Sequence, residues 1–404
     1  MTRLAGSSKL LRAMNESAAL AHLLDPGMLT RSDLRKLTAL STPTISEVLR
    51  RLVDAGLVNV VGHNSGRPGP NAEIYAANPE AAFAAAVSVR DIGTSGTPSV
   101  TAALCDLTGT VRARFESRVD FLATEPADAL VDVIARLSEE ALVPAERIRH
   151  VQLSVPGSYD QRTETIRHVD VPGFGRAGLV PEIAAALGTH IGVDNDVNLA
   201  AVAERKRGAG QDVDGFALLW IGQDGLGLAI DIAGALIRGA RGGAGEIGYM
   251  PLYSPDSAQR KLDLQDLFGG TAILELARDN GITGETPADV VRAASAPPTD
   301  SPGLGRGTAA ANNEFLTALA DRISVGLAAV TAVLDPYLVV LAGPIAQAGG
   351  DTLLAAVTAA ARRTAPLESS IAVTTIDDDA VLLGALDAGL TAVREALITA
   401  IRDS

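Results

Sequence analysis

Two short polar segments in the middle of the chain carry side chains that could bind a ligand rich in hydroxyl groups. The first is Asn195-Asp196, with Asn198 close behind, and the second contains Glu246 among small residues. A carboxylate can accept from two hydroxyls, and an asparagine both donates and accepts. The competing interpretation is structural, with Asp196 a loop acid and Glu246 a helix-cap acid. Residue type alone leaves both interpretations open.

A second candidate set lies on a predicted helix near the N-terminus. Apolar residues from Ile45 to Val53 recur at the spacing of a helix that is buried on one side. Thr42 is the expected N-cap, with Pro43 at the first helical position. Hydroxyl groups and arginines outside the apolar stripe suit contacts with bases and phosphates in a major groove; these residues are Thr42, Thr44, Ser46, Arg50 and Arg51. The alternative is an ordinary solvated helix face.

The surroundings of this helix favour DNA binding. Two shorter helices are predicted before it, from Asn15 to Leu24 and from Thr30 to about Leu37. A strand, a turn rich in glycine and proline, and a return strand follow, as in the β-hairpin wing of a winged helix-turn-helix. Arg67 stands between Gly66 and Pro68 in that turn, so we expect it to enter the minor groove. Its alternative is an exposed loop arginine.

Charge is distributed unevenly along the chain. Residues 1–78 hold nine Lys and Arg against six Asp and Glu, a net charge of +3, whereas the whole chain carries −14 and the remainder −17. A small basic head joined to an acidic body is typical of a DNA-binding module fused to a domain that phosphates would repel. The imbalance in the head is modest and serves only as support.

The chain beyond residue 78 reads as an α/β protein. Buried strands such as Phe216 to Ile221 alternate with helices, of which the longest predicted one runs from Ala309 to Leu334. No uncharged apolar run approaches the ~18 residues that a spanning helix needs, and residues 1–15 lack the apolar region of a signal peptide, which favours the cytoplasm. The single cysteine, Cys105, excludes an intramolecular disulfide.

Three motifs together resemble the ROK family, which comprises repressors, open reading frames of unknown role and sugar kinases. They are Pro172-Gly173-Phe174, Asn195-Asp196-Val197-Asn198 with Glu204, and Ala244-Gly245-Glu246-Ile247-Gly248. With a winged helix in front, the resemblance points to the repressor branch. It implies an actin-like fold of two α/β lobes, with sugar and nucleotide bound in the cleft between them. It also favours a site role over a structural role for Asp196 and Glu246.

The resemblance assigns roles to individual residues. Asp196 matches the general base that takes a proton from the attacking sugar hydroxyl in family kinases. Asn195 and Glu246 match positions that hold the sugar. By the same comparison, Tyr249 and Gln265 occupy positions where family members have a histidine and a glutamate, and both can still bond a hydroxyl.

Both phosphate-binding loops depart from the kinase pattern. The expected Asp-x-Gly-Gly-Thr corresponds to residues 94–98 (Thr-Ser-Gly-Thr-Pro), or to 91–94 after a shift, and neither keeps the glycine pair. In the second loop, Asp224 places a negative charge near a triphosphate. Two like charges ~4 Å apart cost ~4 kcal/mol at an effective dielectric of 20. We therefore expect poor ATP binding, no kinase activity and no bound cofactor.

The family's structural zinc site also lacks its ligands. That site uses a histidine, here replaced by Tyr249, and three cysteines, whereas Leu252 to Gly269 contains neither Cys nor His. We predict no metal site, since Zn²⁺ requires such ligands.

The sequence thus predicts an α+β winged helix-turn-helix at residues 1–78 and a two-lobed α/β actin-like sensor and dimerisation domain at 79–404. The expected function is repression of carbohydrate genes by a cytoplasmic, nucleoid-associated homodimer or dimer of dimers, with operator DNA and a sugar or sugar derivative as partners. A dimer is expected because two recognition helices must meet half-sites ~34 Å apart. The rivals are an active sugar kinase with an accessory domain and a DNA-binding dimer without a ligand.

Overall fold

Strands that are buried on both faces and helices with one apolar face set the architecture of this protein. The alternation predicts two α/β layers, and the structure contains two five-stranded sheets with helices packed on them. A smaller unit precedes them. The computed structural model describes residues 7–24, 27–64, 72–90, 99–252, 262–297, 307–364, 369–376 and 379–403.

The N-terminal unit contains three helices and three antiparallel strands in the order β1-β3-β2. The predicted capping box is present, with Thr30 Oγ1 accepting from Asp33 N and the Asp33 carboxylate accepting from Thr30 N. The predicted N-cap of the third helix was wrong by one residue, because Ser41 Oγ accepts from Thr44 N at 3.3 Å. The elements are α1 (Ser7–Leu24), β1 (Leu29–Thr30), α2 (Arg31–Thr38), α3 (Thr42–Asp54), β2 (Val58–Asn64) and β3 (Ala72–Ala77).

Helix α3 packs through its apolar stripe. Ile45, Val48, Leu49 and Leu52 are buried as predicted, but Val53, at the edge of the stripe, is 36% exposed. Helix α1 begins eight residues before the predicted start at Asn15. Its C-terminal half supplies the facing apolar side chains, so α1 and α3 form one small core.

The first lobe is built on the sheet β10-β7-β4-β5-β6. Strands β4, β5 and β6 form an antiparallel meander, and β7 and β10 add in parallel through helical crossovers. The elements are β4 (Phe83–Val89), β5 (Ser99–Asp106), β6 (Val111–Arg118), α4 (Pro126–Ala141), β7 (Ile148–Val155), β8 (Ser158–Asp160), β9 (Thr165–Arg167), α5 (Leu179–Leu187), β10 (His190–Asn195) and α6 (Asp196–Arg207).

The second lobe repeats this topology in the sheet β13-β12-β11-β14-β15. Again three antiparallel strands are followed by two parallel ones. The elements are β11 (Gly215–Ile221), β12 (Leu226–Ile232), β13 (Ala235–Leu236), α7 (Leu264–Phe268), α8 (Gly270–Asp279), α9 (Pro287–Ser295), α10 (Ala309–Leu334), β14 (Leu338–Ala342), α11 (Pro344–Thr364), β15 (Ser370–Val373) and α12 (Ala380–Asp403).

Helix α10 has the length and the apolar composition of a membrane-spanning helix. It packs instead into the core of the second lobe, where Phe315, Leu319 and Ile323 are fully buried. A core helix of a folded domain has the same composition, so this helix is weak evidence for a membrane span.

The last helix, α12, connects the three parts of the molecule. It lies on the first-lobe sheet, runs along α6, and contacts α1 of the N-terminal unit. Gly384 allows the close approach to α6, since a Cβ there would lie 1.7 Å from Leu199 O. One apolar cluster accordingly contains Leu20 of α1, Leu49 of α3 and Leu386 of α12.

Candidate functional site

The candidate site is a cleft between the two lobes with a volume of about 810 Å³. The junction of β10 with α6, the turn between β11 and β12, and the short 3-10 turn Ile247–Tyr249 meet there. The structure brings all five predicted sugar contacts to the lining of this cleft: Asn195, Asp196, Glu246, Tyr249 and Gln265. Segments that are distant in sequence therefore form one polar surface.

Asn195 is the N-cap of α6. Its Oδ1 accepts from Val197 N at 2.9 Å and from Asn198 N at 3.3 Å, and its Nδ2 donates to Gly157 O at 3.1 Å. These bonds satisfy helix amides that have no partner within the helix. Because the amide is held on both sides, Asn195 has a fixed orientation at the cleft wall.

Asp196 is the first residue of α6 and is half-buried. Its Oδ1 accepts from Val197 N at 2.8 Å. A carboxylate at this position is stabilised by the positive end of the helix dipole. The bond from Val197 N therefore orients the Asp196 side chain at the cleft wall.

Glu246 lies half-buried at the start of the 3-10 turn. Burial raises the pKa of this carboxyl above its ordinary value, while the nearby His168 opposes the shift. The preceding Gly245 has φ +91°, and a Cβ there would lie 1.8 Å from Leu228 O. Only glycine lets the loop run close enough to β12 to present Glu246 to the cleft.

His168 and Asp170 also line the cleft and were missed by the sequence analysis. The His168 ring lies 5.6 Å from the ring of Tyr249, centroid to centroid. His168 has φ 54°, a left-handed conformation that is uncommon outside glycine. The available signal was the nearby Pro172-Gly173-Phe174 motif, which begins four positions after His168 and whose Phe174 is fully buried.

Gln265 bonds to protein backbone in the cleft wall. Its Oε1 accepts from Leu226 N at 3.1 Å, and its Nε2 donates to Asp224 O at 3.2 Å. Gln265 thus ties α7 to the turn between β11 and β12. Gln265 can still bond a sugar hydroxyl, since its amide oxygen has a second lone pair and its amide nitrogen a second hydrogen.

The turn between β11 and β12 is the predicted second phosphate loop. It is closed by a hydrogen bond from Gly222 N to Gly225 O at 2.9 Å. Asp224 and Trp220 both line the cleft beside it. Residues 91–98, which were compared with the first phosphate loop, lie outside the described residues, as does Arg67.

In the segment where the family has its zinc ligands, backbone hydrogen bonds connect residues 250–252 with residues 262–264. Leu252 N donates to Leu262 O at 2.8 Å, and Leu264 N donates to Met250 O at 3.1 Å. Within the described ranges, no group of three or more His, Cys, Asp or Glu side chains could hold a metal ion. The segment from Leu252 to Gly269 has neither Cys nor His, so its side chains do not fit the family's zinc.

Glu204, which contributed to the resemblance, has a structural role. It is 1% exposed, its Oε2 accepts from Ala209 N at 2.9 Å, and the Thr374 hydroxyl donates to its Oε1. The carboxylate thus fixes the end of α6 against β15.

The predicted DNA contacts lie on the outward side of α3. Arg50 bonds Glu47 at 2.8 and 3.1 Å and Asp54 at 2.6 Å, while Arg51 bonds Glu47 at 2.8 Å and Glu16 at 3.4 Å. These two hydrogen-bonded arginines lower the pKa of Glu47 to about 2. Both arginines are therefore paired within the protein in this state.

The hydroxyl groups at the start of α3 are also bonded locally. Thr44 Oγ1 lies 2.7 Å from Ser41 Oγ, and Ser46 Oγ donates to Thr42 O at 2.9 Å. Thr42 is exposed, and Thr44 and Ser46 are partly exposed. The first turn of α3 therefore presents small polar groups to its surroundings.

Two lobes of the same topology with a polar cleft between them define an actin-like fold of the sugar-kinase type. The ROK family model matches residues 91–390. The chain belongs to the ROK family, and the resemblance seen in the motifs is confirmed.

Individual relatives come from both branches of the family. The chain is 23% identical over 360 residues to a protein of Caldicellulosiruptor sp. (strain Rt8B.4) named "Putative xylose repressor", a match that covers 86% of this chain and 87% of that protein. It is 38% identical over 117 residues to the β-glucoside kinase of Listeria innocua serovar 6a, covering 28% of this chain and 40% of the kinase.

Among solved structures, the chain is similar to a ROK family transcriptional regulator described as a homolog of the Escherichia coli Mlc protein. The TM-score is 0.73 at 20% identity, and the match covers 98% of this chain and all of the other. At this identity the similarity establishes the fold, including the helical N-terminal region.

Proposed function

We propose that this protein is a sequence-specific transcriptional repressor whose DNA binding is controlled by a sugar or sugar derivative. Residues 1–78 form the DNA-binding winged helix-turn-helix, and residues 79–404 form the sensor and dimerisation domain. The observation that carries the proposal is a three-helix unit with two antiparallel strands, packed against α12 of a two-lobed body that contains the cleft. Matches to repressor and regulator relatives along nearly the whole chain support it.

Helix α3 has the features of a recognition helix. Its apolar side chains pack inward, and the exposed side carries Thr42, Thr44, Ser46 and the two arginines. A recognition helix places its N-terminal residues against base edges in the major groove, where arginine binds guanine in bidentate fashion. Strands β2 and β3 are antiparallel neighbours on either side of residues 65–71, which include the predicted minor-groove residue Arg67 and lie outside the described residues.

The fold offers a direct route from the cleft to this helix. Helix α6 begins at the cleft with Asp196, and at its other end Lys206 and Arg207 both bond the buried Asp387 of α12, at 2.9 and 2.5 Å. Helix α12 then contacts α1, which packs on α3. A shift of α6 on ligand binding would therefore reach α3 through three helix contacts, α6–α12, α12–α1 and α1–α3. Coupling further requires that the ligand prefer one arrangement of the lobes.

The rival function is phosphorylation of a sugar by ATP. Asp196 is retained at the position of the kinase base, and kinases are among the relatives. Against it, Asp224 adds a negative charge to the second phosphate loop, and the first loop lacks its glycine pair. ATP-dependent phosphorylation of a hexose by the purified protein would establish the rival function.

We further propose a homodimer or dimer of dimers, located in the cytoplasm in association with the nucleoid. Two recognition helices would then contact two half-sites about one helical turn apart.

The proposal is tested by selecting genomic fragments that bind the full-length protein and measuring their Kd at physiological salt. A specific site should bind at least ~1,000-fold more tightly than random DNA. Arg50→Ala should weaken binding to that site about tenfold, because a bidentate contact to guanine is lost.

The matched control is Arg292→Ala in α9 of the second lobe. Arg292 is 61% exposed and bonds Asp289 three positions away at 2.8 Å, just as Arg50 is 59% exposed and bonds Glu47. The control should leave the Kd unchanged. Equal Kd values for selected and random fragments would contradict sequence-specific binding.

A further inference from the structure

The only tryptophan of the chain, Trp220, lines the inter-lobe cleft near its polar residues. It stands near the end of β11, paired across the sheet with Gly227 on one side and Ala342 on the other. Cross-strand partners have side chains on the same face. A large indole between two small residues has room to lie along that face.

Two contacts locate the indole relative to the predicted sugar contacts. A Cβ on Gly227 would lie 2.5 Å from Val197, so the Trp220 face of the sheet packs on the first turn of α6, next to Asp196. On the other edge of β12, Leu228 N donates to Gly245 O at 2.9 Å, which places Glu246 beside that strand. The backbones of Trp220 and Glu246 therefore flank β12, about two strand spacings or ~10 Å apart, and Asp196 precedes the Val197 that contacts β12 between them.

The indole lies over the former phosphate loop. A Cβ on Gly222 would lie 3.0 Å from Trp220 Nε1. Within the described residues, Nε1–H has no hydrogen-bond partner, although a half-buried indole usually finds one. Val381 of α12 packs on the same apolar cluster as Trp220 and also lines the cleft, so the lining includes apolar side chains as well as polar ones.

We propose that Trp220 forms a second subsite, and that the effector is a glycoside or disaccharide rather than a free monosaccharide or a nucleotide. This inference rests on the proposed sensor function. One ring binds the polar end at Asp196 and Glu246. The second ring or aglycone lies against the indole, whose Nε1–H donates to one of its oxygens. The cleft volume of about 810 Å³ exceeds what one hexose ring requires and lies in the range of pockets for larger ligands.

The test uses matched probes with the full-length protein in a calorimeter: glucose and cellobiose, xylose and xylobiose, mannose and mannobiose, galactose and galactobiose, N-acetylglucosamine and chitobiose, plus ATP. Wild-type protein is also followed by fluorescence, since all tryptophan emission comes from Trp220. In at least one pair the disaccharide should bind tenfold or more tightly than its monosaccharide and shift the emission. ATP should not compete.

Two variants separate a subsite from a structural role. Trp220→Ala should lower the affinity for the disaccharide about tenfold and change that for the monosaccharide less than twofold. Trp220→Phe should recover part of the loss, because it restores an aromatic face without the donor.

Unchanged disaccharide affinity in Trp220→Ala, or equal affinity of the two sugars in every pair, would overturn the subsite but leave a monosaccharide sensor intact. Competition by ATP would overturn it in favour of a nucleotide site. Binding of no sugar at all would overturn the sensor as well, while DNA binding is decided separately.

Discussion

Arg238 of the second lobe bonds Asp194 of the first lobe, with Nε and Nη2 donating to the same oxygen, Oδ2, at 2.8 and 2.7 Å. The Asp194 side chain is only 8% exposed, and its other oxygen accepts from Asn195 N and from Asn198 Nδ2, each at 2.9 Å. One carboxylate therefore joins the two lobes and supports the backbone that carries Asn195 and Asp196. The bond thus holds the two lobes together next to the residues that line the cleft.

Arg238→Met should loosen this connection. The variant leaves a buried carboxylate oxygen without its two donors, which costs about 1–3 kcal/mol. We expect a value in the lower half of this range, because the Arg238 side chain is 41% exposed and water can replace part of it. The free energy of unfolding is measured by urea denaturation, followed through the emission of Trp220.

The control for this variant is Arg363→Met in the same lobe. Arg363 bonds Asp321 at 2.7 Å, but both side chains are more than half exposed. Such surface pairs contribute ~0–1 kcal/mol, so its effect should be smaller. Equal destabilisation by both substitutions would show that the bond to Asp194 has no special role.

Glu47→Gln should strengthen binding to non-specific DNA. Glu47 is the shared partner of Arg50 and Arg51, and its removal leaves both guanidinium groups freer to contact phosphates. The DNA affinity should depend more strongly on salt: the slope of log K against log [salt] should become more negative by about one unit for each added phosphate contact. Because the pKa of Glu47 is about 2, its charge persists from pH 5 to 8, and changing the pH in that range should not imitate the variant. An unchanged salt slope would place these arginines away from DNA.

Gly245→Ala should displace Glu246. The residue has φ +91° and contacts Leu228 O, so a methyl group brings both strain and a clash. Backbone strain of this kind costs about 1–3 kcal/mol, and ligand affinity should fall as well. Gly243→Ala, two positions earlier, is the control, since Gly243 does not have a positive φ and nothing lies within 4 Å of a Cβ there. Equal melting temperatures for the two variants would refute this assignment.

Binding of sugar hydroxyls to Glu246 should depend on pH. The ionised carboxylate is the acceptor, and burial raises the pKa of Glu246 above 4.5. Affinity should therefore fall as the pH is lowered, with a midpoint above 4.5, and Glu246→Gln should flatten the profile. Titration calorimetry at a series of pH values measures this; a wild-type profile that is flat down to pH 4.5 would exclude Glu246 as the acceptor.

The raised pKa of Glu246 affects the stability of the ligand-free protein in the opposite direction: lowering the pH weakens sugar binding but favours the folded state. A raised pKa means that the folded state holds the proton more tightly than the unfolded state. The contribution of Glu246 to the free energy of unfolding is then fully present below pH 4.5 and is lost as the pH rises through the folded pKa. Relative to Glu246→Gln, the wild type should therefore lose free energy of unfolding as the pH rises from 4.5 through the pKa of Glu246 in the folded state.

Local elements were readable from the sequence where a strong signal exists. The capping box at Thr30 and the long helix Ala309–Leu334 were predicted with their bounds, because caps and apolar periodicity are local properties. The N-cap of α3 was misplaced, since Ser41 and Thr42 both have a hydroxyl and only geometry decides between them. The repeat of one topology in the two lobes left no short-period signal, because strand order depends on long-range pairing.

The cleft was predictable only through motifs. Asn195 and Glu246 were found because they lie in motifs shared with the family, whereas His168 lies only near such a motif and Trp220 lies in none of the three. The bonds of Gln265 to the backbone of the β11–β12 turn could not be anticipated, as they join positions far apart in the chain. The same holds for the contact of α12 with α1.

The central claim is that ligand in the cleft changes DNA binding by the N-terminal unit. The most direct measurement is fluorescence anisotropy of a labelled, selected DNA fragment with full-length protein, with and without each sugar of the panel. The account predicts a specific complex whose Kd changes at least fivefold with one sugar and not with ATP, as expected for a coupling free energy of about 1 kcal/mol or more. A specific Kd that stays constant with every sugar, while calorimetry shows that the sugar is bound, would contradict it.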